Sequence, residues 1–136
     1  MSEVFADAFY CIALLNPADQ FHATAVAATK TLTQRLVTSG WVLMEVADAL
    51  SAPAVRQRTH QFLERIAVDP NTTVVTDLAP WFARSLKLYG ERRDKSWSLT
   101  DCISFEVMKD RGISDALTGD QHFIQAGFRA LLVAAA

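Results

Sequence analysis

Four acidic residues stand where carboxylates can do chemistry. Asp7 ends the short apolar run Val4, Phe5 and Ala6, Asp120 lies just past Ala116, Leu117 and Thr118, and Glu45 interrupts an apolar stretch between Met44 and Val46. Asp101 follows Ser98 by three residues at the start of a helical stretch. Carboxylates gathered at one place repel one another, and their pKa values rise unless a cation cancels the charge. Mg²⁺ and Mn²⁺ take hard oxygen ligands, whereas zinc favours His and Cys. The three histidines, His22, His60 and His122, show no zinc-ligand spacing. A divalent ion held by oxygens can bind a phosphate oxygen, acidify a water and stabilise a leaving alkoxide, which is the chemistry of phosphodiester hydrolysis. One ion or two would serve.

Each acid also has a plain structural reading. Ser98 and Asp101 have the spacing of a capping box, and Asp7 and Asp120 stand where turn and cap residues commonly occur. Glu45 is the odd one, because a solvated charge sits poorly on an apolar face.

The elements that must position these residues alternate. Residues 4–6 read as a strand and 9–15 as a buried helix that stops before Pro17. A small-residue helix is expected over 19–35, then a strand at 36–38, with Gly40 as the turn after it. Apolar residues at 42, 43, 46, 47 and 50 suit one face of a helix that carries Glu45. A further helix is expected from Pro53 to about residue 67, then the β-branched strand 72–76. Asp77 can cap a helix over 78–89 that ends at Gly90, and a charged loop follows at 91–95. The amphipathic helix 99–111 ends at Gly112, strand four spans 116–118, a short helix spans 121–126, and 128–133 supplies a fifth strand before terminal alanines expected to fray. Asp115 reads as the residue that opens strand four. This order predicts an α/β fold with a parallel sheet covered on both faces. Ligands in such sheets bind beyond the carboxyl ends of the strands. Asp7, the segment with Glu45, and Asp120 all follow strands, so three acids are expected at that one edge.

A chain of 136 residues, 51% hydrophobic and 21% charged, suits one globular domain spanning 1–136. The formal net charge of −2 argues against a generic nucleic-acid coat, but not against a nuclease whose carboxylates are neutralised by metal. No apolar run approaches the roughly eighteen residues of a membrane span, and MSEVFAD has no basic region with an apolar stretch behind it, so a cytoplasmic protein is expected. Cys11 and Cys102 are too few for a disulfide framework and read as reduced, half-buried fillers.

The stretches VFADAFYCIALLNPAD, TSGWVLMEVADAL and DKSWSLTDCISFEVMKDRGISDALTGDQHFIQAGF resemble the PIN-domain family, in particular its VapC-type toxins, over nearly the whole chain. The most specific part is Ser98-Leu99-Thr100-Asp101-Cys102 followed by Ala116-Leu117-Thr118-Gly119-Asp120-Gln121-His122-Phe123. The resemblance implies a three-layer α/β/α sandwich around a central, mostly parallel five-stranded sheet. It also implies Mg²⁺- or Mn²⁺-dependent endoribonuclease activity, a homodimer, and inhibition by a cognate antitoxin protein. By motif position its catalytic, metal-holding acids fall on Asp7, Glu45, Asp101 and Asp120. Thr100 falls where a hydroxyl could orient the attacking water, and Gly119 falls at a position that varies in the family.

Other residues carry weaker signals. Asp48, three residues after Glu45, suits a solvated or supporting role, and His122 beside Phe123 reads as a packed or half-exposed histidine that could contact substrate. Trp41, Trp81 and Trp97 could stack on bases, though core or dimer packing is the commoner use. Arg84, Lys87, Arg92, Arg93 and Lys95 could guide a phosphate backbone or simply form a solvated helix end. Two other functional classes compete. One is a catalytically inactive PIN-like module that binds RNA or protein, against which the intact acidic set argues. The other is a phosphatase-like hydrolase, but no DxD follows the first strand, and neither a GxSxG elbow nor a GxxxxGK[ST] loop is present.

Overall fold

The computed structural model describes residues 2–133. The terminal alanines expected to fray lie outside that range. The elements run β1 (Glu3–Ala6), α1 (Ala8–Leu15), α2 (His22–Thr31), β2 (Arg35–Ser39), α3 (Gly40–Ala49), α4 (Pro53–Val68), β3 (Thr72–Val75), α5 (Ala79–Glu91), α6 (Leu99–Arg111), β4 (Asp115–Leu117), α7 (Gln121–Gln125) and β5 (Arg129–Ala130).

The five strands form one sheet in the order β3-β2-β1-β4-β5, and every neighbouring pair is parallel. Successive strands step outwards from β1 in one direction through β2 and β3, then in the other through β4 and β5. The reversal falls between β1 and β4, where Phe5 lies opposite Ala116 and Ala6 opposite Leu117. The crevice at such a reversal is where open α/β sheets bind ligands. Helices α1 to α4 pack among themselves, and α5, α6 and α7 form a second group. The expected α/β architecture is therefore present, with the sheet parallel throughout.

The core explains why these segments pair. Val4, Phe5, Val37, Ala116 and Leu117 are buried from the strands. Phe105 of α6 meets Phe123 at 5.0 Å and Trp97 at 5.0 Å, both edge-to-face, a favoured aromatic geometry. Cys11 and Cys102 are free and fully buried rather than half-buried.

Several boundaries depart from the expectations. Helix α2 begins at His22 because the Asp19 carboxylate accepts from the Phe21 N–H at 2.8 Å, a side-chain turn that competes with the helix. It stops at Thr31, short of residue 35. Gly40 makes no turn, because Ser39 caps α3 directly, its hydroxyl accepting from the Val42 N–H at 3.2 Å, so β2 runs straight into the helix. Gly90 does not end α5, which continues through Glu91. The left-handed glycines among the described residues are Gly112 (φ 67°) and Gly127 (φ 95°), and only such a conformation ends a helix in this way. The fifth strand is confined to residues 129 and 130, because Phe128 is spent capping α7 through its N–H to the Phe123 carbonyl at 3.0 Å.

Candidate active site

The polypeptide leaves β1 at Asp7 and β4 at Thr118, side by side at the reversal. The Asp7 N–H still donates to the Leu117 carbonyl at 3.3 Å, so the sheet delivers the Asp7 side chain next to β4. The Thr118 hydroxyl, itself fully buried, donates to Asp7 Oδ2 at 2.8 Å and accepts from the Asp120 N–H at 3.0 Å. One hydroxyl thus sets the spacing of two of the acids. Asp120 caps α7, with Oδ1 accepting from the His122 N–H at 2.9 Å.

Asp101 arrives on α6. The Ser98 hydroxyl accepts from the Asp101 N–H at 2.9 Å while Asp101 Oδ2 accepts from the Ser98 N–H at 3.0 Å, so the capping box is formed. Capping and a role in the site are not exclusive, because the same Oδ2 lies 3.1 Å from His122 Nδ1, which is also 3.5 Å from Asp120 Oδ1. Donor atoms of Asp101, Asp120 and His122 all lie within 4.8 Å of one another.

Glu45 projects from the second turn of α3. The premise that it breaks an apolar face is wrong: Val42, Val46 and Leu50 form the buried face, and Glu45 lies on the exposed side with Met44 and Asp48. Its carboxyl group nevertheless feels the charges of the cluster. Partial loss of water raises its pKa, the charges of Asp101 and Asp120 add to the rise, and the nearby Thr100 side chain opposes it.

The charge balance is the chemical fact of this site. Asp7 is 6% exposed, and burial pushes its carboxyl up from an ordinary 3.8 to about 7. The Thr118 hydrogen bond works against that shift, while the charges of Asp101 and Asp120 reinforce it. Among the described residues, no Lys or Arg forms an ion pair with Asp7, Glu45, Asp101 or Asp120. Such a set suits a divalent cation. Ligands of an octahedral ion at about 2.1 Å lie up to about 4.2 Å apart, and the Asp101, Asp120 and His122 donors lie within 4.8 Å of one another.

Of the four acids from the sequence, Asp101 and Asp120 lie together with His122, Asp7 is tied to Asp120 through Thr118, and Glu45 is linked to them only through the charge effects on its carboxyl; two further residues join the site. His122, read as a packed or half-exposed histidine, lies against Asp101 and Asp120, and Thr118 is the brace between Asp7 and Asp120. The tie from Asp120 Oδ1 to the His122 N–H was a findable local signal, but nothing local links His122 to Asp101 across 21 residues. Gly119 is more constrained than a variable position implies, since a Cβ there would lie 2.5 Å from the Phe9 ring. Trp97 is buried, with its Nε1–H donated to Gln125 at 3.0 Å, and serves packing. The basic segment divides. Arg84 pairs with Glu106 and Asp110, tying α5 to α6, and Lys87 pairs with Glu91, whereas Arg92, Arg93 and Lys95 line a groove beside Ser98.

No family model matches the chain. It is 27% identical over 135 residues to the 23S rRNA-specific endonuclease VapC20 of Mycobacterium tuberculosis, with 92% of this chain and 95% of that protein covered, and the result is the same in two strains. The crystal structure of M. tuberculosis VapC20, described as a sarcin-ricin loop cleaving toxin, matches with a TM-score of 0.85 at 26% identity, again over 92% of this chain and 95% of the other. FitAcB from Neisseria gonorrhoeae matches with a TM-score of 0.64 at 16% identity over 93% and 95%, a likeness of fold alone. In sequence and in fold the chain is similar to VapC20 along nearly its whole length, and it shares that protein's PIN-like α/β fold.

Proposed function

We propose that this protein is a metal-dependent endoribonuclease that hydrolyses phosphodiester bonds of RNA, and that it is the toxin of a toxin–antitoxin pair. The observation that carries the reading is the uncompensated negative charge at the sheet reversal. A buried Asp7 with its carboxyl pushed up to about 7 lies beside donors of Asp101, Asp120 and His122 that are spaced to hold one cation. The likeness to VapC20, named as an endonuclease and a toxin, supports it.

Asp7, Asp101, Asp120 and His122 are the residues that would hold Mg²⁺ or Mn²⁺. When bound, such an ion supplies Lewis acidity toward the phosphoryl oxygens and makes water a better nucleophile at neutral pH. Thr118 holds Asp7 and Asp120 at their separation, so the site is set before substrate arrives. Glu45, at the solvent side with its pKa raised, would take the proton from the attacking water, with the Thr100 side chain nearby. Water oxygen joins phosphorus, the bond to the leaving ribose oxygen breaks, and that oxygen is protonated from solvent. A homodimer, a cognate antitoxin and a cytoplasmic setting complete the proposal.

The test is direct. Purified protein free of antitoxin should cut RNA when Mn²⁺ or Mg²⁺ is supplied and stop when EDTA is added, and Asp7→Asn should not cut. Wild-type protein that leaves RNA intact with either ion, or an Asp7→Asn variant that cuts as well as its parent, would overturn the reading.

A further inference from the structure

Beside the acidic cluster lies an open groove of about 680 Å³, lined by Arg92, Arg93, Lys95, Ser96, Trp97 and Ser98 among others. Its Ser98 wall is in contact with the site, because the Ser98 N–H donates to Asp101 Oδ2 at 3.0 Å. A polymer chain with one phosphate at the acids would therefore run its neighbouring phosphates over this groove.

The groove is built from cations. Within residues 92–98 three basic side chains face a single carboxylate, Asp94, in a chain whose formal net charge is −2. Arg92 is committed to structure: Nε and Nη2 donate to the two Asp94 oxygens at 3.0 Å each, and its guanidinium lies 5.0 Å from the Trp97 ring. That clamp neutralises Asp94 and fixes the groove floor. Lys95 Nζ is left 3.8 Å from an Asp94 oxygen already taken by Arg92, and Arg93 is exposed with no ion pair among the described residues. Tyr89, also on the groove, is 52% exposed and offers an aromatic face to an unstacked base.

Resting on the ribonuclease reading above, we infer that Arg93 and Lys95 form a phosphate subsite that holds the RNA backbone on one side of the scissile bond, with Tyr89 as a stacking platform. The acids alone repel a polyanion, and this groove supplies the local positive charge that the chain as a whole lacks.

The double variant Arg93→Ala/Lys95→Ala tests it. Binding of a short fluorescein-labelled single-stranded RNA, followed by anisotropy in EDTA, should weaken about ten-fold, and the slope of log affinity against log salt should flatten by about 1.4, roughly 0.7 for each cation lost from a single strand. In Mn²⁺ the KM for RNA cleavage should rise by a similar factor with kcat little changed, and Mn²⁺ affinity by calorimetry should stay as in the parent. Arg93→Lys should recover most of the affinity, and Lys30→Ala, on the exposed side of α2, should change nothing. Parental RNA affinity and salt slope in the double variant would overturn the subsite while leaving the ribonuclease reading untouched. A wild-type protein that binds RNA through these residues yet never cuts it would overturn the ribonuclease reading and leave the subsite standing.

Discussion

At the amino ends of the strands, Glu3 accepts two hydrogen bonds from the Arg111 guanidinium at 3.0 and 2.8 Å, and Asp115 accepts two from Arg129 at 2.9 and 2.8 Å and one from Gln34. At the carboxyl ends of the same strands, Asp7 and Asp120 meet a hydroxyl, an imidazole and other carboxylates, but no Lys or Arg ion pair among the described residues. The outcome is visible within one four-residue strand. The Arg111 hydrogen bond holds Glu3 below its ordinary value, while burial lifts Asp7, just past the other end, to about 7. Acidic residues alone therefore say little. What separates a fastener from a reaction site is whether the fold supplies the counter-charge or leaves it to be brought in.

That contrast can be broken most severely at Asp101. Asp101→Asn keeps an oxygen to accept from the Ser98 N–H, so α6 should stay capped while a charge is lost. RNA cleavage should fall by a factor on the order of 10² or more, and Mn²⁺ binding by calorimetry should weaken in step. Retained cleavage with a folded variant would show that the capping role was the whole of its function.

Asp7→Asn should separate stability from function. Because the folded-state pKa is raised, the metal-free protein is most stable, at this site, below about pH 4, and loses stability as pH rises from there through about 7. The total loss is on the order of 4 kcal/mol. The Asn variant escapes it, so in EDTA its melting temperature should exceed that of the parent by more at pH 8 than at pH 5. A gap that does not change with pH would sink the assignment of a strained, charged Asp7.

Thr118→Val keeps shape and removes the brace between Asp7 and Asp120. It should cost roughly 1–3 kcal/mol and lower Mn²⁺ affinity about 10- to 100-fold. Denaturant unfolding and calorimetry read the two effects separately, and unchanged ion affinity would make Thr118 purely structural.

The smallest effect is expected at the other end of the sheet. Asp115→Asn breaks the pair with Arg129, whose side chain is 71% exposed, and should cost about 1 kcal/mol or less with RNA cleavage unaltered. A large loss of activity there would erase the distinction between the two ends.

Much of this was legible in the residues. Apolar runs marked β1, β3 and β4, and Ser98 with Gly112 bounded α6 at both ends, because caps and buried strands are local matters of hydrogen bonding and solvation. Errors fell where a neighbour competed: Asp19 turned the chain before α2, Ser39 capped α3 before Gly40 could act as a turn, and Phe128 was drawn into the cap of α7. Glu45 was singled out for a wrong reason, since it is exposed rather than set in an apolar face, yet its carboxyl still feels Asp101 and Asp120.

By itself, the order of residues determined the alternation of strands and helices and put acids directly after β1 and β4, since backbone preference and hydrophobic period act over a few positions. Only the tertiary structure decided that β1 and β4 are neighbours, that His122 lies against Asp101, and that Arg111 and Arg129 stand at one end of the sheet and not the other. Those are distances between groups remote in the chain. Electrostatic energy depends on such distances and on burial, and neither exists until the strands have chosen their partners.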